Sequence, residues 1–232
     1  MRAANGIDTL MDDDHPGVAP PPLPRAPDDE RTRQIIDAAY ALLGESGLEG
    51  LTIRAVLGRT GLARRAFYER FAVKDELVLA LFEHVIHLAA AHYAIEVQRW
   101  ADPLDQLRTV INAIALGGLV DDDAGIEPNN RHAVAMSREH LRLAETRPAD
   151  LQRALRPLLD LIAQLLADGM AAGTIRVSSP HRMASLVYNL VATTVHAEFL
   201  SEDSGADRAR RSELAEDVWQ FCRLGISAQS AR

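Results

Sequence analysis

The residues of this chain that are best placed to do chemistry form one short cationic stretch, Arg64-Arg65-Ala66-Phe67-Tyr68. On a helix with about 100° per residue and Phe67 pointing inward, Arg65 lies at the centre of the exposed side. Tyr68 and Ala66 then flank Arg65, and Arg64 lies nearer the edge. A guanidinium can hydrogen-bond O6 and N7 of guanine in the major groove, and a tyrosine hydroxyl can donate to a phosphate. The stretch is therefore suited to contacts with double-stranded DNA.

Glu69 follows Arg65 by four residues and belongs to the same predicted surface. Its carboxylate can hold the Arg65 guanidinium in place, or it can accept a hydrogen bond from a cytosine amine. An ordinary surface ion pair, which contributes a few tenths of a kcal/mol, would leave the same pattern in the sequence. These interpretations of Glu69 stay open at this point.

Two short helices joined by a tight turn position the cationic stretch. Thr52 is a good N-cap for the first helix, and Gly61 ends it. A further helix starts at Lys74, which is the only lysine of the chain. A helix pair of this size can place its second member in a DNA groove. The predicted inward positions of the pair are Ile53, Val56, Ala63, Phe67 and Phe71.

The charge of the chain is distributed unevenly. The formal net charge is −8, yet the segment from Arg31 to Lys74 holds eight basic residues against four acidic ones. A basic segment on an acidic protein directs phosphates to one surface and repels them from the remainder. A solvated helical surface would show the same charges, so this pattern supports DNA binding without requiring it.

Composition limits the class of protein. The chain has 232 residues, of which 47% are apolar, which is ample for a packed core. We expect no membrane span and no secretion signal, and the single cysteine, Cys222, fits a reducing cytoplasm. Residues 1–29 are rich in proline and aspartate and poor in large apolar side chains, which predicts a flexible tail.

The rest of the chain is helical by pattern, and no strand-like alternation is found in it. The first helix starts near Arg31 and stops at Gly47. Pro157 is expected to kink its helix or to start a new one, and Gly173 ends that segment. The predicted fold class is therefore all-α. The later helices are expected at Leu77 to Trp100, Leu104 to Leu119, Arg131 to Glu145, Pro148 to Ala172, His181 to Leu200 and Arg211 to Ile226.

The last two helices carry broad apolar stripes that suit pairing with a second copy. Two such helices per chain would form a four-helix interface about a two-fold axis. The same stripes could instead cover the core of the chain itself. The candidate interface residues are Leu186, Leu190, Val191, Val195, Val218, Phe221 and Cys222.

The central helices mix polar and aromatic side chains with many alanines and leucines, a composition that could line an apolar cavity or fill a core. His84 and His87 lie three residues apart, but no Asp, Glu or Cys follows at a recognised spacing, so we expect no metal site. The candidate ligand-binding residues are His84, His87, Tyr93, Trp100, Asn112, Met136 and His140.

No catalytic or cofactor-binding motif stands out. The sequence contains no phosphate-binding glycine loop, no Gly-x-Ser-x-Gly and no His-Glu-x-x-His. We therefore expect neither an enzyme nor a bound cofactor.

The motif Thr52-Ile53-Arg54, together with Gly61-Leu62, Phe67-Tyr68, Phe71 and Lys74-Asp75-Glu76-Leu77, resembles in order and spacing the DNA-binding domain of the TetR/AcrR family of bacterial transcriptional regulators. The clear match covers roughly residues 31 to 82. Members of the family often carry serine or threonine at the positions of Ala63 and Ala66, and a basic or polar residue at that of Glu69. We therefore expect the recognition helix to lack a side-chain cap, which costs about 1 kcal/mol.

The resemblance implies a role for each matching residue. Arg64, Arg65, Ala66 and Tyr68 would occupy the recognition helix, and Thr52 and Arg54 would lie near the DNA backbone. Lys74 would meet a phosphate at a helix N-terminus, where an anion is already favoured.

The resemblance also implies a domain organisation and a function. A helix-turn-helix domain at residues 30–76 would precede a helical effector-binding and dimerisation domain at residues 77–232. The expected protein is a cytoplasmic homodimeric repressor that binds a palindromic operator and is released by a small, mostly apolar effector. The alternatives are a helical small-molecule-binding protein or enzyme without DNA affinity, and a non-specific chromosome-binding protein.

Overall fold

The computed structural model describes residues 30–117, 130–201 and 208–228. Over these residues it contains nine α-helices and no strand; one isolated bridge joins Ile175 and Ser227. The predicted all-α class is confirmed. The predicted tail at residues 1–29 and loop at residues 121–129 lie outside the described residues. The helices are α1 Glu30–Gly50, α2 Ile53–Thr60, α3 Arg64–Tyr68, α4 Lys74–Glu96, α5 Pro103–Leu116, α6 Asn130–Thr146, α7 Pro148–Ala171, α8 Pro180–Ser201 and α9 Arg208–Ile226, with a 3₁₀ turn at Val97–Arg99.

Local sequence signals explain the ends of the first helices. Gly47 has φ 64 and breaks the helical path near the end of α1, as predicted. The Thr52 hydroxyl accepts a hydrogen bond from the N–H of Ala55 at 3.1 Å, which caps α2. Gly61, with φ 68, ends α2 in the left-handed conformation that glycine adopts at low cost. The turn between α2 and α3 is therefore specified by its own residues.

A small core holds α1, α2 and α3 against the beginning of α4. Val56 and Phe67 are fully buried in it, together with apolar residues of α1 at helical spacing. The core extends along α4 to Val85, so the predicted domain boundary between residues 76 and 77 falls inside one continuous helix. No linker separates the helix-turn-helix from the rest of the chain at this point.

A larger core occupies the remainder of the described structure. It is built from α4, α5, α6, α7, α8 and α9, with α7 packed against α4, α5 and α8, and α5 packed against α9. Pro157 lies inside α7, which runs from Pro148 to Ala171 as a single helix. The structure thus excludes the new helix start that was one of the two outcomes predicted for Pro157.

The segment Lys74–Arg99 corrects the expectation that no run is long enough to span a membrane. This helix is long and apolar enough to cross a bilayer by length and composition. Its buried side chains belong to the two cores, with Leu81 and Phe82 almost fully covered. The core helices of soluble proteins pass the same test, so its length and composition are weak evidence for a membrane span.

Candidate nucleic-acid interface and internal cavity

The exposed face of α3 carries the three side chains predicted to be there. The side chain of Arg65 is 88% exposed, Arg64 is exposed, and Tyr68 is 44% exposed. Phe67 on the opposite face is fully buried and anchors the helix. A five-residue helix is marginal in isolation, so this packing, rather than intrinsic propensity, fixes the direction of the cationic side chains.

Each arginine of α3 is held by a side chain four residues further on. The Arg65 Nε lies 2.9 Å from Glu69 Oε1, so one of the open interpretations of Glu69, a restraint on Arg65, matches the geometry. Arg64 Nη2 donates to Tyr68 Oη at 3.2 Å, and its guanidinium carbon lies 5.6 Å from the centre of the Tyr68 ring. Both pairs are exposed, so nucleic acid can replace either partner at little cost.

Ala63 and Ala66 correct two predicted orientations. Ala63 was expected on the buried side of α3, but it is exposed because it is the N-cap and has an extended backbone, so the helical wheel does not apply to it. Ala66 was expected beside Arg65 on the DNA-facing side, but only 9% of its surface is exposed. The absence of a side-chain cap at Ala63 is confirmed.

Thr52, Arg54 and Lys74 surround α3 at the ends of neighbouring helices. Thr52 and Arg54 are exposed at the start of α2, although the Thr52 hydroxyl is already used in capping. Lys74 starts α4 as predicted, but it is half-buried and its Nζ donates to the carbonyl of Leu48 at 3.2 Å. Because an ammonium has further N–H donors, this bond leaves Lys74 able to meet a phosphate as well.

A cavity opens between α4, α5, α6, α7 and α8, with a volume of about 100 Å³. Of the candidate ligand-binding residues, Tyr93, Met136 and His140 line it. The structure brings these three together from α4 and α6, which the sequence could not show because 43 residues separate Tyr93 from Met136.

The other four candidates lie elsewhere, for identifiable reasons. His87 is exposed on α4, where its Nδ1 lies 2.8 Å from the Glu83 carbonyl, and His84 is half-buried on the side of α4 near Asp37. Trp100 follows the 3₁₀ turn and is 49% exposed. The neighbours of Asn112 on α5, Ala113 and Ile114, line the cavity, which places the Asn112 side chain on an adjacent face. His84, His87, Trp100 and Asn112 are therefore not part of the lining of this cavity, and their contact with a ligand stays a prediction.

The cavity has a polar end that sequence reasoning largely missed. Tyr188 Oη lies 3.2 Å from His140 Nδ1, and the rings of His140 and His196 are 4.6 Å apart. Burial lowers the pKa of both histidines to about 4, and for His140 the neighbouring His196 contributes to this shift. Tyr188 and His196 lie on α8, the helix interpreted as part of an interface, and no local spacing in the sequence marks them as cavity residues.

The apolar stripes of α8 and α9 divide between the core and the surface. Val191, Val195, Val218 and Cys222 are buried in the core of the chain itself, because α8 packs on α7 and α9 packs on α5. These four side chains are covered within one copy, and their contact with a second copy stays a prediction. Leu186 and Phe221 are 64% and 69% exposed, Leu190 is half-buried, and Leu224, which was not predicted, is 76% exposed.

An ion-pair network between α4 and α6 also escaped the sequence analysis. Arg142 donates to both carboxylate oxygens of Glu139, at 2.7 and 2.9 Å, and lies 3.1 Å from Asp75. Glu139 is almost fully buried, and its carboxylate raises the pKa of Arg142. The partners are up to 67 residues apart in the chain, so only the fold reveals the network.

Comparison with known proteins gives the same answer as the geometry. Residues 35–81 match the family described as bacterial regulatory proteins, tetR family. A relative, the HTH-type transcriptional repressor KstR2 of Mycobacterium tuberculosis, is 25% identical over 165 residues, which are 71% of this chain and 77% of the relative.

Solved structures share the fold. RolR in complex with resorcinol superposes with a TM-score of 0.64 at 13% identity, covering 86% of this chain and 88% of RolR. FadR of Bacillus subtilis in complex with stearoyl-CoA superposes with a TM-score of 0.62 at 19% identity, covering 84% of this chain and 98% of FadR. The matched segment identifies residues 35–81 as a DNA-binding domain of the tetR family of bacterial regulatory proteins, and the chain shares the all-α architecture of these solved structures.

Proposed function

We propose that this TetR-family regulator is a homodimeric repressor that binds a palindromic operator in the cytoplasm and releases it when a small, mostly apolar effector binds. The observation that carries the proposal is the exposed cationic face of α3, with Arg64, Arg65 and Tyr68, held on a helix pair whose cap and turn residues fit the family.

The DNA contacts follow from exposure and from the existing partners of each side chain. Arg65 is the most exposed residue of the set and is assigned to a base edge in the major groove. Arg64, Tyr68, Thr52, Arg54 and Lys74 are assigned to the phosphate backbone, where they would set the register of the protein. Ala66 is too buried for a phosphate contact but leaves room for Arg65 to approach the bases.

Pairing of two copies would use the exposed apolar side chains of the last two helices. Leu186 of α8 and Phe221 and Leu224 of α9 each expose most of their surface, and Leu190 extends the patch. Burying such side chains stabilises a dimer by about 25 cal/mol per Å² of apolar area. A two-fold dimer would present two copies of α3 about 34–36 Å apart, one turn of DNA.

Effector release would pass through α6, because this helix contacts both the cavity and the DNA-binding helices. Ala133, Met136 and His140 of α6 line the cavity. On another face, His132 Nε2 lies 3.0 Å from the Tyr40 carbonyl of α1. Arg142 of the same helix pairs with Asp75 at the start of α4.

A ligand that enlarges the cavity would therefore displace α6. Because α6 contacts α1 and α4, the positions of these two helices would shift with it. The ligand-bound population would favour a spacing of the two recognition helices that no longer matches the operator. The helix-turn-helix domain at residues 30–76 and the effector and dimerisation domain at residues 77–232 would move without a flexible linker between them.

The test is selection of bound fragments from sheared genomic DNA, followed by a mobility-shift titration of the enriched sequence. The proposal predicts enrichment of an inverted repeat and a steep fall in affinity with salt. A helical binding protein or enzyme without DNA affinity would enrich no sequence. A non-specific chromosome-binding protein would bind all fragments equally, so the three classes give different results.

A further inference from the structure

The cavity contains a buried polar side chain whose hydrogen-bonding groups are not used by the protein. His196 is 9% exposed and lines the cavity, and its ring nitrogens are not among the fully buried unpaired side-chain atoms of the described residues, so they are accessible at the cavity wall. A polar group on the wall of a mostly apolar cavity needs a hydrogen-bonding partner. His196 therefore points to a ligand group or an ordered water in the cavity.

His140 beside it is prepared to act as a second polar contact. Tyr188 Oη and His140 Nδ1 lie 3.2 Å apart, and in the tautomer that accepts from the hydroxyl the His140 proton is on Nε2, where it can donate to a ligand. The ring of His196 is 4.6 Å away and offers one donor and one acceptor nitrogen when neutral. Together the two imidazoles can donate to and accept from a single small polar group.

The charge of the cavity restricts what that group can be. Among the described residues that line the cavity, none is Asp, Glu, Lys or Arg. Burial keeps the pKa of His140 and His196 near 4, so both rings are neutral at physiological pH. An ionised carboxylate or an ammonium would lose its hydration here without meeting a countercharge, which is a large cost.

The volume of the cavity and its apolar walls limit the size and polarity of the rest of the ligand. About 100 Å³ is available, and the walls are mostly apolar, with Phe82, Val85, Ile114 and Leu158 among them. For comparison, an engineered apolar cavity of about 150 Å³ in another protein binds benzene. The space therefore suits a compact body of about one ring.

We propose that the effector is a compact, uncharged ring compound with a hydroxyl group that hydrogen-bonds His196 and His140. This inference rests on the proposed function in that it names the class of molecule that fills the effector site. The hydroxyl satisfies the free nitrogens of His196, and the ring fills the apolar part of the cavity.

The first test is direct binding of phenol, toluene and benzoate to the full-length protein by calorimetry, without DNA. The three probes share a ring and differ in the polar group. We expect phenol to bind about 10-fold more tightly than toluene, since it supplies hydrogen bonds to otherwise unpaired groups, and benzoate to bind more weakly than toluene. Equal binding of phenol and toluene, or preferred binding of benzoate, would overturn the proposal.

The second test assigns the preference to His196. The His196→Phe variant keeps an aromatic ring at this position, slightly larger than the imidazole, and removes the nitrogens, so the ratio of phenol to toluene affinity should fall towards 1. The matched control is His87→Phe, which changes an exposed histidine outside the cavity and should leave the ratio unchanged. A ratio that survives in His196→Phe would show that the hydroxyl binds elsewhere.

These measurements are independent of operator binding. If phenol binds as expected but never releases the operator, the ligand class stands and the proposed effector mechanism fails. If an operator is found and none of the three probes binds, the ligand class is wrong and the DNA-binding function stands.

Discussion

The two arginines of α3 differ in what their guanidinium groups are free to do. Arg64 donates to the Tyr68 hydroxyl and lies over the Tyr68 ring. The orientation of its guanidinium is therefore coupled to that of Tyr68. Arg65 is restrained only by Glu69 in a pair that is open to solvent. Such exposed pairs contribute about 0–1 kcal/mol, less than a bidentate contact with guanine offers. Arg65 is therefore the residue whose loss should change sequence preference.

We expect Arg65→Ala to weaken binding to the preferred operator by about 1–3 kcal/mol and to relax the preference at one base position. Competition binding against operators that differ at each position measures both effects. Arg99→Ala is the matched control, since Arg99 is also an exposed arginine paired with a nearby glutamate but lies at the far end of α4. An equal loss on every DNA sequence would contradict the assignment of Arg65 to a base.

Lys74 should behave differently, because a phosphate contact carries no sequence information. Lys74→Ala is expected to weaken binding to all sequences alike and to lower the slope of log affinity against log salt by about 1. Titrations at several salt concentrations measure the slope. An unchanged slope would mean that the Lys74 ammonium serves only the Leu48 carbonyl.

The buried His196 should make the free energy of unfolding depend on pH. Burial holds its folded pKa at about 4, below the ordinary value of 6.5 for histidine, so protonation favours the unfolded chain. Stability should be fully present above pH 6.5 and should fall as the pH drops towards 4. His196→Phe should lose less stability than the unmodified protein between pH 7 and pH 5 in urea unfolding. Parallel curves for the two proteins would contradict the buried, neutral histidine.

Sequence patterns predicted residues whose role is local and missed those whose role depends on distant contacts. The cap at Thr52, the turn at Gly61 and the exposure of Arg65 follow from neighbours within a few positions, and the structure confirms them. The orientation of Ala63 was predicted wrongly because a helical wheel assumes helical backbone at every residue, whereas Ala63 is an N-cap with an extended backbone. The role of His196 depends on helices far apart in the chain, which no spacing records.

At the scale of elements, α6 is the helix on which the proposed response depends. It contributes Met136 and His140 to the cavity, packs against α1, and is tied to α4 by Arg142. Glu139, buried beside the cavity residues, holds Arg142 through both carboxylate oxygens. This helix therefore joins the proposed ligand site to the start of α4 through direct contacts.

We expect Arg142→Met to lower the free energy of unfolding by about 1–3 kcal/mol, because it leaves the Glu139 carboxylate buried without its partner. The double variant Arg142→Met with Glu139→Leu should recover most of the loss, since no unpaired charge remains. Urea unfolding of the single and double variants measures the difference. A double variant as unstable as Arg142→Met would show that the packing of Arg142, and not its charge, matters.

The helices themselves were largely predictable, because their apolar residues recur at a period close to 3.6 and their ends carry glycine or proline. Helices α7 and α9 begin and end within a few residues of their expected positions. Their packing order was not predictable. Helix α8 carries both Val191 and Tyr188, and only the placement of α7 and α6 decides that Val191 fills the core and Tyr188 lines a cavity.

At the scale of the whole molecule, two surfaces must act together. The basic segment around α3 lies on a chain with a formal net charge of −8, which favours an approach to DNA in one orientation. The exposed apolar patch of Leu186, Phe221 and Leu224 lies on the last two helices. A single copy would hold one half-site weakly, so pairing through this patch is needed for a long operator.

We therefore expect Leu186→Glu with Phe221→Glu to give a monomer with much weaker operator binding. Sedimentation equilibrium gives the mass, and circular dichroism checks that the helices remain. Ile95→Glu is the control, because Ile95 is 70% exposed but lies at the end of α4 away from the patch. A variant that stays dimeric after both changes would place the interface elsewhere.

The measurement that tests the central claim most directly is footprinting of the unmodified protein on the DNA fragment that genomic selection enriches most. The account predicts protection of an inverted repeat whose half-sites lie about 34–36 Å apart on one face of the duplex, bound by two copies of the chain. Protection without a repeat, or no enriched fragment at all, would contradict it.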